Sequence, residues 1–79
     1  IGMSMVANKV RGVRAALCDR EDIAISSKEH NDSNVIVFAA NIVTPGKAKK
    51  ILNSWLMAKH LGGRHARRVS QIKKIEEMI

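Results

Sequence analysis

Apolar residues fall in two short continuous runs and elsewhere recur at helical spacing. Val13–Cys18 (VRAALC) is mostly apolar, and Val35–Ala39 (VIVFA) is apolar throughout and largely β-branched. Runs this short, bounded by polar or glycine-bearing segments, predict strands buried on both faces. Ile1–Lys9 (IGMSMVANK) predicts a short helix, with Gly2 or Ser4 near its start and Gly12 at the turn that follows. Asp19 then stands as an N-cap, with Glu21 and Asp22 in a first turn where the helix dipole favours acids. That helix runs to about His30. Asn31-Asp32-Ser33-Asn34 is a polar loop. Thr44-Pro45 opens a third helix: threonine caps it, and proline at the first helical position gives up no needed N–H. Ala48, Ile51, Leu52, Trp55 and Leu56 recur there as an inward face. Gly62-Gly63 stops it. Arg64–Ile79 predicts the last helix, with Val69, Ile72, Ile75 and Ile79 on one side.

The order is helix, strand, helix, strand, helix, helix. Strands alternating with helices predict a parallel sheet covered on both faces, an α/β architecture. Two buried-type strands alone leave two open, apolar sheet edges. The expectation is that residues 1–79 are the C-terminal half of one α/β domain, whose other half supplies the earlier strands.

Composition narrows the classes. A 79-residue chain with 46% apolar and 27% charged residues is of globular type. The single cysteine, Cys18, can form no intramolecular disulfide. The longest apolar run, Val35–Ala40, is far short of the ~20 residues a membrane helix needs. The first residues lack the form of a signal peptide. Together these place the chain in the cytoplasm as a reduced, soluble protein. Fourteen Lys and Arg against seven Asp and Glu leave a net charge of +7, which favours an anionic partner. Only two aromatics, Phe38 and Trp55, are present, which argues against stacking on single-stranded nucleic acid.

Two clusters carry candidate chemistry. With Arg64 set at 0°, Arg68 falls at about 40°, Ile75 at about 20°, Ile79 at about 60° and Ile72 at about 80° on an ideal helix. Both arginines then share the inward side at the helix N-terminus, where bidentate donors and the dipole suit a phosphate. The competing interpretation is a solvated basic helix. His30-Asn31 falls where a helix ends and a loop begins. Histidine can move a proton near neutral pH and asparagine can orient hydroxyls; the alternative is a histidine that merely steadies the helix dipole, with Asn31 as a left-handed cap. Cys18 is a buried filler rather than a nucleophile. His60 and His65 flank the double glycine without a third ligand at metal-binding spacing. Met3, Met5, Met57 and Met78 are packing residues, and Lys47, Lys49 and Lys50 a solvated face.

Three segments in order, IGMSMVANKVRGVRAALC, KEHNDSNVIVFA and GGRHARRV, resemble the C-terminal half of the type B ribose-5-phosphate isomerases, a family that includes the galactose-6-phosphate isomerase subunits. The likeness runs over essentially all 79 residues. It implies a Rossmann-like, three-layer α/β/α domain with a parallel sheet, of which this segment holds about two strands and four helices. It implies an aldose–ketose isomerase of carbohydrate metabolism, in the pentose phosphate pathway, that works through an enediolate on a phosphorylated pentose or hexose without metal or organic cofactor. Dimers or tetramers with the site at a subunit interface are also implied. By the same resemblance, His30 is the acid that helps open the sugar ring. Asn31 binds sugar hydroxyls or the enediolate, Arg64 and Arg68 bind the phosphate, and Ile1-Gly2 close a glycine-rich anion-binding loop that acts as an oxyanion hole.

Three departures from the family pattern stand out. The usual catalytic cysteine lies before Ile1 and is not in this sequence, and the glutamate some relatives use instead is Met3 here. An early Asp-His pair that contacts substrate is likewise not present. Asn41 replaces a further phosphate-binding arginine, which removes one charge-assisted bond of ~1.5–3 kcal/mol. These 79 residues alone are therefore expected not to isomerise. A rival from another class is a small basic module that binds nucleic acid through Lys59–Lys74. It predicts equal weight for Arg67, Lys73 and Lys74 and a steep salt dependence, and nucleic acid is the less favoured partner.

Overall fold

The computed structural model describes residues 1–79. Its elements are α1 (Gly2–Ala7), β1 (Ala15–Leu17), α2 (Glu21–Asn31), β2 (Val35–Val37), α3 (Pro45–Met57) and α4 (Arg64–Glu77). β1 and β2 pair in parallel, with Ala15 opposite Val35, Ala16 opposite Ile36 and Leu17 opposite Val37. Both strands are shorter than their apolar runs. The ladder goes one step further, where the Cys18 N–H donates to the Val37 carbonyl at 3.0 Å.

The sheet presents one face to a core of Cys18, Ala24, Val43, Ile51 and Trp55. Ala16, Ile23, Ile36, Phe38, Ala48 and Leu52 pack around them. Strand residues alternate between faces, so Ala16, Cys18, Ile36 and Phe38 share the covered side. Leu17, on the opposite side, is 37% exposed. The expectation of strands buried on both faces is thus met on one face only.

Other boundaries shift for local reasons. The N-cap of α2 is Arg20 rather than Asp19, and no side chain caps it; Arg20 turns instead to Asp22, at 3.1 Å. The left-handed residue that ends α2 is Asp32, with φ 49°, not Asn31, which remains helical. α3 begins as expected, with Thr44 Oγ1 accepting from the Lys47 N–H at 3.3 Å and Pro45 at its start. It ends at Met57, well before Gly62, and Leu56 is exposed rather than inward.

Candidate active site at the meeting of α2 and α4

Asp32 anchors the end of α2. The Arg14 guanidinium donates to the Asp32 carbonyl oxygen at 2.8 Å and to its carboxylate at 3.2 Å. Asn34 holds the neighbouring backbone: its Oδ1 accepts from the Arg14 N–H and its Nδ2 donates to the Gly12 carbonyl, both at 2.7 Å. These bonds fix where α2 stops. His30 and Asn31, in the last turn before that stop, are both exposed. His30 is therefore an accessible imidazole on a rigid helix end, as a proton donor to a ligand must be.

The segment between α3 and α4 is clamped to the same place. The Glu29 carbonyl accepts from His60 Nδ1 at 2.9 Å and from the Leu61 N–H at 3.0 Å. A carbonyl only accepts, so His60 carries its proton on Nδ1. Gly62 (φ 75°) and Gly63 (φ 57°, ψ −130°) then turn the chain into α4 through backbone conformations that side chains disfavour. This turn brings the first residues of α4 against the end of α2. His65 stacks on His30, ring centroids 4.3 Å apart and planes within 8°.

Arg64 and Arg68 flank this stack from α4. Both are exposed, which corrects the inward placement expected from the helical wheel. The side by which α4 packs passes instead through His65 and Val69, the latter 4% exposed. Ile72, Ile75 and Ile79 lie largely exposed beyond it, and Arg67, Lys73 and Lys74 are exposed too.

The remaining candidates are spread more widely. Ile1 and Gly2 open α1, and both are exposed. Asn41 is exposed in the turn after β2, where the Ala39 carbonyl accepts from the Ile42 and Val43 N–H groups. Cys18 is fully buried, and burial, the first cause, raises its thiol above the usual range; Asp19 adds to this and the bond with Ser27 opposes it. A thiol so placed is a packing group, not a base. No three of the His, Cys, Asp and Glu side chains converge to hold a metal ion. No helix is long and apolar enough to cross a membrane. An open groove of about 690 Å³ lies elsewhere, lined by Arg11, Arg14, Ile72, Ile75 and Ile79 among others, and shares only Asn31 with these candidates.

Desolvation lowers the His65 pKa from its ordinary 6.5, and the charges of His30, Arg64, Arg68 and His60 lower it further. Well above 6.5, folded and unfolded chains both hold this ring neutral. As the pH falls through 6.5, the unfolded chain takes the proton first. Stability therefore drops with falling pH and levels off once the folded pKa is passed. Thermal melts followed by circular dichroism should show that decline, and His65→Phe should flatten it. An unchanged slope in the variant would remove His65 as its source.

The profile of the ribose/galactose isomerase family matches residues 1–72. The chain is 43% identical over 77 residues to the ribose-5-phosphate isomerase B of Escherichia coli (strain K12), which covers 98% of this chain and 52% of that protein. It is 42% identical over 72 residues to a D-erythrulose-4-phosphate isomerase of Pectobacterium atrosepticum, covering 91% and 47%. Among solved structures, ribose-5-phosphate isomerase B from Mycoplasma genitalium with bound ribulose 5-phosphate superposes with a TM-score of 0.96 at 38% identity. That match covers all of this chain and 52% of the other. The chain spans about half the length of these relatives.

Proposed function

The chain belongs to the ribose/galactose isomerase family, and from that premise we propose that it carries the ring-opening and phosphate-binding part of an aldose–ketose isomerase site. The substrate class is a sugar phosphate, with ribose 5-phosphate and ribulose 5-phosphate as the pair. The observation that carries this reading is the His30–His65 stack, because it joins the HND segment of α2 to the GGRHARR segment of α4 in one place.

In this reading Arg64 and Arg68 hold the phosphate by charge-assisted bonds at the start of α4. His30 gives a proton to the ring oxygen of the furanose as the bond from that oxygen to C1 breaks. The C1 hydroxyl gives its proton to solvent, leaving the open aldehyde. Asn31 holds the sugar hydroxyls or the enediolate formed next, and Ile1-Gly2 offer backbone N–H groups to its negative oxygen. The carbon-bound proton needs a base. The family resemblance places that base in a cysteine ahead of Ile1, outside these 79 residues, and Cys18, sealed in the core, is not its equivalent. The exposed apolar side chains of α1 (Met3, Met5, Val6) and α4 (Ile72, Ile75) support a working form in which further strands and a second subunit cover them. In that form the site lies at the subunit interface of a homodimer or homotetramer.

The test is a hybrid in which this chain replaces the matching 77-residue stretch of the E. coli relative. The hybrid should convert ribose 5-phosphate to ribulose 5-phosphate, and the 79-residue chain alone should not exceed a buffer control. A folded but inactive hybrid would overturn the assignment, and turnover by the isolated chain would overturn the missing base.

A further inference from the structure

We propose that His65 is a positioning residue that works through His30: the two stacked rings accept one proton between them, and an anion held by Arg64 and Arg68 stabilises that singly protonated pair. The inference rests on the phosphate site proposed above and adds to it a role for His65.

The geometry carries it. The rings lie parallel at 4.3 Å. A neutral imidazole can stack on an imidazolium at that distance, whereas two imidazoliums repel. The titratable and charged groups acting on His65 are His30 from α2, His60 from the α3–α4 connection, and Arg64 and Arg68 from α4 itself. All are cations when protonated, so nothing among them favours a second proton. His60 is also tied elsewhere, with Nδ1 on the Glu29 carbonyl. A bound phosphate dianion cancels the charge of the two arginines. It makes the first proton on the pair cheaper and leaves the second opposed by the ring already charged.

Two consequences follow for the reaction. The stack fixes the plane of the His30 ring, and so the direction in which it can deliver a proton. Binding of the phosphate also charges the acid at the moment a substrate is present. Linkage is reciprocal: if the anion favours the proton, the proton favours the anion. Anion affinity should therefore rise as pH falls through the titration of the pair, by about tenfold within the usual range of such couplings.

NMR titration of the imidazole resonances of the hybrid that carries the native 79-residue chain tests this, with sulfate as the probe because it stays a dianion throughout. In the native chain His30 and His65 should each report the same two inflections, as coupled sites do. His65→Phe keeps an aromatic ring in the stack and should reduce His30 to a single inflection; His65→Gln, a smaller change, should do the same. Sulfate should move the upper inflection to higher pH in the native chain, and Arg64→Ala with Arg68→Ala should abolish that movement. Independent single-step titrations of both rings, unaltered by changing the other, would overturn the inference while leaving the phosphate site intact. Sulfate that binds without moving the pair would do likewise. Failure of both sulfate and ribose 5-phosphate to perturb α4 would instead overturn the phosphate site, and the inference with it.

Discussion

Replacing His30 by alanine in the active hybrid should lower ribose 5-phosphate turnover by about 10²–10⁴-fold, the range for loss of a general acid or base. The structure locates the cause narrowly. His30 is exposed at the end of α2, and its partner in the stack, His65, belongs to a different element. Removing the ring should leave the core untouched, because Ala24 is the fully buried side chain of this helix. The variant should therefore melt near the parent and fail in kcat more than in KM. D-Erythrose 4-phosphate supplies the decisive comparison. Its 4-hydroxyl is esterified, so it cannot close to a furanose and needs no ring-opening acid. A relative 42% identical to this chain is a D-erythrulose-4-phosphate isomerase. If His30 opens rings, its loss should cost far less on the tetrose than on the pentose. Equal losses on both would move His30 to the enediolate step, and no loss on either would remove it from the chemistry.

Arg64 and Arg68 invite the complementary measurement, since exposure alone does not separate them from Arg67, Lys73 and Lys74. What separates them is position. His65 stacks on the end of α2; around the helix Arg68 lies about 60° and Arg64 about 100° from it, Arg67 about 160°, and Lys73 and Lys74 lie one to two turns further along. In a phosphate site only Arg64 and Arg68 bear on substrate affinity. Across a nucleic-acid face the weight would spread over all five.

Much of this was legible in the residues, and what was not has physical causes. Thr44-Pro45 announced the start of α3 because capping is a local affair, decided within four residues. The two strands were legible for the same reason. The start of α2 was not: Asp19 has the right chemistry for a cap, but the ladder runs on to Cys18 and the helix starts one residue later than an Asp19 cap would place it. The wheel for α4 followed its three isoleucines and so turned both arginines inward. In the structure the helix is gripped through Val69 and through His65, which has no apolar signature. That grip depends on the Glu29 carbonyl holding His60 and Leu61, a contact between a backbone atom and a segment some thirty residues away. No periodicity encodes such a contact. Asp32 has no sequence signature either, since its worth lies in a left-handed backbone and in Arg14, which comes from the other side of α2 in the chain.

Ile51→Ala should be strongly damaging to the core. Ile51 is fully buried at the middle of α3, among Cys18, Ala24, Val43 and Trp55. Truncating such a side chain costs about 2–5 kcal/mol through lost transfer energy and the cavity left behind. Stability of about 0.05–0.15 kcal/mol per residue leaves a chain this short little in reserve. The variant should be largely unfolded at temperatures where the parent is folded, as circular dichroism during urea titration would show. The polar contacts nearby give the scale against which to judge it. Trp55 Nε1 donates to Ser33 Oγ at 2.7 Å, Ser33 Oγ shares a hydrogen bond with Ser27 Oγ at 2.9 Å, and Lys28 Nζ sits 3.9 Å above the indole. Ser33→Ala strands the buried indole N–H, at about 1–3 kcal/mol. Adding Trp55→Phe to Ser33→Ala removes the stranded donor as well, so the double variant should be less destabilised than the sum of the singles. If Ser33→Ala proved as harmful as Ile51→Ala, the polar bridge rather than the apolar cluster would be what holds α2 to α3. The apolar reading requires the reverse order, because Ile51 is fully buried in the cluster that unites Cys18, Ala24, Val43 and Trp55, whereas Ser33 contributes two hydrogen bonds, to Trp55 and Ser27.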